Sequence, residues 1–171
     1  MRGIRLTLAV AVLVLTLAVG GQRAAAQDPA LLVIGAGGYD VNKQDNTAAE
    51  FSLQYRSDVD LWIFRPFAGL MATTDSAVNV YAGIGIDLFF GNRWVVRPSF
   101  APGFYAEGDG KDLGHSVEFR SGVEIAYRFD DRARLGLELY HLSNASIGSR
   151  NPGEESLILT YAVPISSLFG P

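Results

Sequence analysis

Residues 78–88 read VNVYAGIGIDL, and this alternation of polarity decides the fold class. Successive side chains of a β-strand point to opposite faces, so a segment of this kind has one apolar face and one polar or small face. The apolar positions are Val78, Val80, Ala82, Ile84, Ile86 and Leu88. The opposite positions are Asn79, Tyr81, Gly83, Gly85 and Asp87. The stretch therefore predicts a β-strand that separates two unlike environments.

The same alternation recurs on both sides of this segment, in runs of about ten residues separated by turn residues, which is typical of a transmembrane β-barrel. After residue 27 we find no helical period of useful length. Eight strands are predicted, at residues 31–41, 48–56, 61–72, 77–90, 94–106, 115–129, 134–143 and 155–165. The predicted fold is all-β, an eight-stranded antiparallel transmembrane β-barrel, with residues 27–171 as its single domain.

The first 26 residues have the pattern of a secretory signal peptide. Arg2 and Arg5 form a basic start, residues 6–19 are apolar, and three alanines at residues 24–26 supply a cleavage site. A retained membrane anchor is the alternative, but a spanning helix needs about 20 apolar residues. We therefore predict an exported protein with a signal peptide at residues 1–26.

The charge balance and the missing cysteines exclude several classes of function. Without the three arginines of the signal peptide, 11 of the 14 basic residues remain against 18 acidic ones, a net charge of −7. An acidic chain is a poor partner for nucleic acid. The chain has no cysteine and only two histidines, so disulfides and thiolate metal sites are excluded. We expect no metal and no cofactor.

The charged residues of the predicted strands share the polar face. They are Glu50, Arg56, Arg65, Asp87, Arg97, Glu118, Arg120, Glu124, Arg128 and Glu138. The interior of an eight-stranded barrel is just wide enough for side chains to fill it, so we expect a lumen closed by ion pairs. A soluble lipocalin-like barrel would reverse the two faces, and parity alone does not separate these alternatives. The signal peptide and the aromatic residues near strand ends favour the membrane barrel.

The lengths of the connections predict the orientation of the barrel. Residues 42–47, 107–114 and 144–154 form longer polar connections, whereas residues 57–60, 91–93 and 130–133 form short ones. Short turns of such barrels face the periplasm and longer loops face outside. The longer connections are therefore expected at the extracellular side, and residues 73–76 form a short exception among them.

One segment carries residues suited to catalysis. His141 and Ser143 lie two residues apart at the end of a predicted strand, on one face, and Glu155 opens the next strand after a loop that folds back. A serine nucleophile needs a base, and the base needs a third group to hold its tautomer. Glu154 has the opposite parity and is therefore not predicted to orient the histidine.

The predicted face of these three residues restricts the substrate. By parity they share the apolar, lipid-facing side with Leu139 and Leu157, at the extracellular end of their strands. Ionisable groups on a lipid face are costly, so a cluster of them indicates function. A site there reaches only a substrate embedded in the outer leaflet of a bacterial outer membrane, which is rich in lipopolysaccharide.

The segment resembles the lipid A 3-O-deacylase (PagL) family in its His-x-Ser-Asn-Ala stretch and its downstream Asn-x-x-x-Glu-Ser. These residues are His141, Ser143, Asn144, Ala145, Asn151, Glu155 and Ser156. The resemblance implies that Ser143 is the nucleophile, His141 the general base and Glu155 its orienting residue. It makes Asn144 and Asn151 the candidates for stabilising the oxyanion. The family often carries glycine after Asn-Ala, where this chain has Ser146.

The expected function is therefore that of a membrane-embedded serine esterase that removes an ester-linked hydroxyacyl chain from lipid A, the membrane anchor of lipopolysaccharide. A non-enzymatic structural or adhesion barrel and a lipid A acyltransferase remain the alternatives. The apolar outer face would also permit a homodimer, although no particular residue argues for one.

Overall fold

The computed structural model describes residues 28–169, which form a closed antiparallel β-barrel. Its elements are β1 (Leu31–Tyr39), β2 (Ala48–Arg56), β3 (Arg65–Thr73), β4 (Val78–Gly85), β5 (Leu88–Phe90), β6 (Trp94–Ala106), β7 (Val117–Arg128), β8 (Arg134–Ser143), β9 (Glu154–Pro164) and a short helix α1 (Ile165–Phe169). Strand β9 pairs with β1, and β4 and β5 both pair with β6, so the ring contains eight strand positions. The predicted fold class is confirmed, while the predicted signal peptide lies outside the described residues.

The structure divides the fourth predicted strand into β4 and β5. Ile86 and Asp87 separate the two pieces, and Ile86 lies opposite Pro98, whose carbonyl accepts the Ile86 N–H at 3.0 Å. Proline has no N–H to return to the partner strand, so the hydrogen-bond ladder is interrupted at this point. The third strand begins at Arg65 instead of residue 61, because Trp62 adopts a positive φ of 65° within a tight turn.

The outer surface of the barrel is apolar. Large hydrophobic side chains stand exposed along the strands, among them Phe51, Val80, Phe104, Ile125, Leu137, Leu139, Leu157 and Leu159. Soluble monomers rarely expose apolar patches of more than a few hundred Å². This distribution excludes the lipocalin-like alternative, which requires the apolar face to point inward. Among residues 28–169 there is no helix with the length and apolar character needed to cross a membrane.

The lumen is filled with charged side chains, as the sequence predicts. At one end Asp87 accepts hydrogen bonds from Arg65, Arg97 and Arg134, and Arg134 also pairs with Asp28. Further along the barrel, Arg56 pairs with Glu124 at 2.6 Å and Arg120 with Glu138 at 2.9 Å. The ten predicted inward charges are buried, apart from Arg128, which is half-buried and pairs with Asp28. Asp28 and Arg134 extend the predicted set.

Candidate active site

Strands β8 and β9 bring His141 and Glu155 face to face. The two residues are direct partners in the antiparallel register, so their side chains emerge side by side on one face of the sheet. That face is the outer one, because Leu139 and Leu157, two residues away on each strand, are 54% and 42% exposed. The structure thus places the histidine and the glutamate on the apolar exterior of the barrel, at the end nearest the 144–153 loop.

A hydrogen bond of 3.0 Å joins His141 Nδ1 to Glu155 Oε1. With the Nδ1 hydrogen donated to the carboxylate, the other ring nitrogen, Nε2, carries the lone pair of the neutral imidazole. A carboxylate on Nδ1 also stabilises the imidazolium that forms when Nε2 takes up a proton. The pair therefore has the arrangement of a general base and its orienting acid.

Gly153 lies against the imidazole ring of His141, where a side chain would not fit. A Cβ atom at this position would lie 2.7 Å from His141 Cε1 and 3.2 Å from Nε2, closer than ordinary contacts allow. Gly153 also has a φ of +62°, in the left-handed region that favours glycine. The role of Gly153 was not predicted from sequence, because its contact with the histidine depends on the path of the loop.

Ser143 lies two residues beyond His141 on the same outer face and is half-buried. It pairs in register with Phe119 of β7, so β7 forms the wall on its other side. Within residues 28–169 the Ser143 hydroxyl makes no hydrogen bond to His141. Catalytic hydrogen bonds are often long in unliganded enzymes and tighten when substrate binds. The structure therefore brings all three residues to one place while leaving the serine–histidine contact unformed.

Asn144 is fully buried and holds the neighbouring loops together. Its Nδ2 donates to the carbonyl oxygens of Leu113 and Arg150, each at 2.8 Å, and its Oδ1 accepts the Ser146 N–H at 2.9 Å. Its own backbone N–H donates to Asn151 Oδ1 at 3.0 Å. The side-chain donors of Asn144 are thus occupied by loop carbonyls.

Asn151 occupies a different position. Its side chain is exposed, and only its oxygen is engaged, by the Asn144 N–H. The Asn151 amide nitrogen forms no hydrogen bond within the part of the chain that the structure describes. Of the two asparagines that the sequence singles out, Asn151 therefore has the donor that is available to a substrate.

The chain turns sharply directly after Ser143 and Asn144. Ala145 and Ser146 have positive φ values of 52° and 64°, and Ile147 N–H donates to the Asn144 carbonyl at 3.1 Å. Two consecutive left-handed residues closed by such a bond define a type I′ turn, which favours asparagine and glycine. Ser146 therefore adopts the conformation that the glycine of the family motif would favour, in spite of its side chain.

A polar network lies directly behind the site, inside the lumen. Tyr140 donates a hydrogen bond of 2.6 Å to Glu50, and the Ser156 hydroxyl lies 2.8 Å from Glu50 and 3.0 Å from Glu154. These side chains alternate with His141 and Glu155 along β8 and β9 and tie both strands to β2. Glu154 points inward, as its parity predicts. The cross-barrel pairing of this network depends on strand order and was not inferred from sequence.

Within residues 28–169 no three side chains of His, Cys, Asp or Glu are grouped as a metal ion would require.

Comparisons with known proteins agree on one family. The family model described as lipid A 3-O-deacylase (PagL) matches residues 38–164. A curated relative, lipid A deacylase PagL from Pseudomonas aeruginosa, is 31% identical over 86 residues, and the match spans 50% of this chain but only 42% of that protein. The crystal structure of the outer membrane enzyme PagL superposes with a TM-score of 0.64 at 18% identity, covering 79% of this chain and 99% of that one. The superposition supports the same fold, and the chain belongs to the lipid A 3-O-deacylase (PagL) family of outer-membrane β-barrels.

Proposed function

We propose that this protein is an outer-membrane lipid A 3-O-deacylase that hydrolyses an ester-linked hydroxyacyl chain of lipopolysaccharide. The observation that carries the proposal is the 3.0 Å hydrogen bond between His141 Nδ1 and Glu155 Oε1 on the membrane-facing side of the barrel. Ser143 lies on the same face, two residues from the histidine. Family membership adds the substrate class, lipid A, and the 3 position of the ester.

The proposed reaction is serine-esterase chemistry in two steps. The Ser143 hydroxyl attacks the ester carbonyl while His141 Nε2 accepts its proton, and Glu155 stabilises the resulting imidazolium. The ester C–O bond then breaks, the sugar oxygen takes the proton from His141, and the acyl group remains on Ser143. A water molecule, activated by the same histidine, hydrolyses the acyl-enzyme and releases the hydroxy fatty acid.

The oxyanion of each tetrahedral intermediate needs a hydrogen-bond donor, and we assign this role to Asn151. Its amide nitrogen has no hydrogen-bond partner among residues 28–169, and its oxygen is held by the Asn144 N–H at 3.0 Å. Asn144 contributes by fixing Asn151 and the turn after Ser143. A preorganised donor of this kind lowers the barrier by about 2.7–4 kcal/mol in serine hydrolases.

The position of the triad favours a lipid substrate in the outer leaflet. The longer loops adjoin the end of the barrel that carries the site, and longer loops of such barrels face the cell exterior. An acyl chain lying against the exposed leucines of β8 and β9 presents its ester at the polar boundary, where water is available for deacylation. The substrate therefore approaches from within the membrane plane.

Mass spectrometry of lipid A tests the proposal, using cells that express the wild-type protein or the Ser143→Ala variant. The expected result is loss of one hydroxyacyl chain with the wild type and an intact lipid A with the variant. Identical lipid A in both strains, with both proteins inserted and heat-modifiable on gels, would contradict the proposal and favour a non-enzymatic barrel. A gain in mass would instead indicate an acyltransferase.

A further inference from the structure

The loop between β1 and β2 lies against the active site. The Val41 N–H donates to the backbone carbonyl of Glu155 at 2.8 Å, and the Lys43 ammonium donates to the carbonyl of Pro152. Between these two contacts, Asn42 Nδ2 donates to Glu155 Oε2 at 3.3 Å. A residue that is distant in sequence thus contacts the carboxylate that orients His141.

Each oxygen of the Glu155 carboxylate therefore has its own partner. Oε1 accepts from His141 at 3.0 Å, and Oε2 accepts from Asn42 at 3.3 Å. The terminal torsion of glutamate has broad minima, so a carboxylate held at one oxygen only is free to turn. A second donor fixes the plane of the carboxylate, and partners of this kind keep catalytic groups in their productive geometry.

We infer that Asn42 is a positioning residue of the active site, whose amide holds Glu155 in the orientation that serves His141. The inference rests on the proposed function, because it assigns Glu155 the role of orienting the catalytic base. Asn42 acts through Glu155: its amide donates to the carboxylate, and within the described part of the chain it forms no hydrogen bond to His141.

The loop that carries Asn42 is firmly anchored. Asp40, immediately after β1, is fully buried, and its carboxylate accepts the backbone N–H groups of Asp45 and Asn46, each at 3.1 Å. The same carboxylate forms an ion pair of 2.6 Å with Lys111 from the β6–β7 connection. The backbone on both sides of Asn42 is therefore fixed, which lets a single exposed amide act as an orienting group.

Few charges surround the His141–Glu155 pair. Glu155 comes from β9 and Lys43 from the β1–β2 loop, whereas β7 faces His141 with the neutral Ser121. Glu154 points into the lumen, and Arg150 is paired with Asp112 in the outer loops. Replacing Asn42 by aspartate thus adds one negative charge beside Glu155.

Three variants test the inference: Asn42→Ala, Asn42→Asp and the matched control Gln44→Ala. Gln44 lies in the same loop, and within residues 28–169 its side chain donates only to Val41 O, at 3.4 Å. With lipopolysaccharide in mixed micelles, Asn42→Ala is expected to lower kcat by about 2- to 10-fold, the effect of losing one hydrogen bond, with KM little changed. Gln44→Ala is expected to behave as wild type.

The pH profile separates positioning from a merely structural role. An added negative charge favours the imidazolium, so Asn42→Asp is expected to move the acid limb of the kcat/KM profile upward by about 0.5–1 pH unit. A drop in kcat with an unmoved acid limb would assign Asn42 to loop structure and overturn the inference.

A second measurement does not depend on activity. In the ¹⁵N-histidine NMR spectrum, the His141 Nδ1–H bound to Glu155 is expected to give a slowly exchanging resonance in the wild type and Gln44→Ala, and a broadened one in Asn42→Ala. The same resonance in all three proteins would refute the role of Asn42. If the wild type and Ser143→Ala leave lipopolysaccharide equally intact, the proposed function fails. The NMR resonance would still show whether Asn42 holds Glu155 against His141.

Discussion

His141 and Glu155 are direct partners across the β8–β9 ladder, and a 3.0 Å hydrogen bond joins their side chains. On a lipid-facing surface this bond places a titratable pair where isolated charges are costly. Glu155 contacts His141, whereas its neighbour Glu154 faces the lumen and does not. The contrast between the two adjacent glutamates gives the first prediction.

Glu155→Gln is expected to lower kcat by roughly 10³- to 10⁴-fold, because a neutral amide holds the imidazole but does not stabilise the imidazolium. Glu154→Gln is the matched control, one residue away on the opposite face, and is expected to retain most of the activity. Single-turnover hydrolysis of lipopolysaccharide measures both. Equal losses in the two variants would show that the activity depends on the intact structure of β9 and not on the outward carboxylate of Glu155.

Gly153→Ala is expected to abolish most activity while leaving the barrel folded. A Cβ at this position would lie 2.7 Å from His141 Cε1 and displace the ring from Glu155. Gly91→Ala is the control, since Gly91 has a similar φ of +64° but no atom within 4 Å of the added Cβ. Both variants carry the left-handed strain of about 1 kcal/mol, so only the contact with His141 differs. Activity and heat-modifiable gel migration, measured together, test this: equal activities would exclude the steric role.

The two asparagines near the site are expected to respond differently to replacement. Asn151→Ala removes the free amide donor and should lower kcat by about 100-fold or more, with little change in unfolding temperature. Asn144→Ala removes the three hydrogen bonds of a buried side chain and should lower the unfolding temperature as well as the activity. Thermal unfolding in detergent and kcat distinguish the two. The assignment of the oxyanion to Asn151 is wrong if its alanine variant keeps wild-type kcat.

Ser146→Gly is expected to stabilise the protein by about 1 kcal/mol, because serine at a φ of +64° carries strain that glycine does not. Ser146→Ala keeps the strain and removes only the hydroxyl, so no gain in stability is expected from it. Denaturant unfolding of the folded barrel in micelles measures the difference. A gain in both variants would point to the hydroxyl group instead of the backbone.

The outer β1–β2 loop is expected to loosen in acid. Burial acts to raise the pKa of Asp40, but the hydrogen bond and ion pair with Lys111 and the N–H groups of Asn46 and Asp45 outweigh it and lower the pKa below its usual value. The folded loop therefore binds fewer protons than the open one. The stabilisation is complete above about pH 4, the ordinary range of aspartate, and is lost as the pH falls through the lowered pKa.

Hydrogen exchange of residues 41–46 as a function of pH measures this stabilisation. Lys111→Met leaves the buried Asp40 carboxylate unpaired and is expected to destabilise the loop by about 3 kcal/mol at neutral pH. Arg150→Met breaks the exposed pair with Asp112 and serves as the control, with unchanged exchange expected for these residues. Protection factors, which remove the intrinsic pH dependence of exchange, are the quantity to compare. Protection factors that stay constant between about pH 2 and 6 in the wild type, a range spanning the ordinary aspartate pKa of about 4, would disprove the role of Asp40.

Much of the barrel follows from the alternation of polarity, because a period of two residues fixes both the strand and its faces. Strands β2, β6 and β8 have the predicted bounds to the residue. The interruption between β4 and β5 was not predicted, since it depends on Pro98 of the facing strand. A break of this kind becomes visible only when the register of two strands is known.

The residues of the proposed triad were predicted from sequence, because the two-residue spacing of His141 and Ser143 and the parity of Glu155 put them on one face. The contacts of Asn42, Gly153 and Asn144 were not identified. All three depend on how loops from different hairpins pack at the rim of the barrel, and sequence spacing within one loop contains no information about that packing.

The ion pairs that close the lumen have a further consequence for the cell. The ion-paired inward charges Arg97, Arg56 and Glu138 are only 2%, 2% and 5% exposed, so side chains and not open space fill the barrel at their levels. We therefore expect the barrel to add no leak to the permeability barrier of the outer membrane, so that a cell can carry many copies of it without admitting antibiotics or detergents.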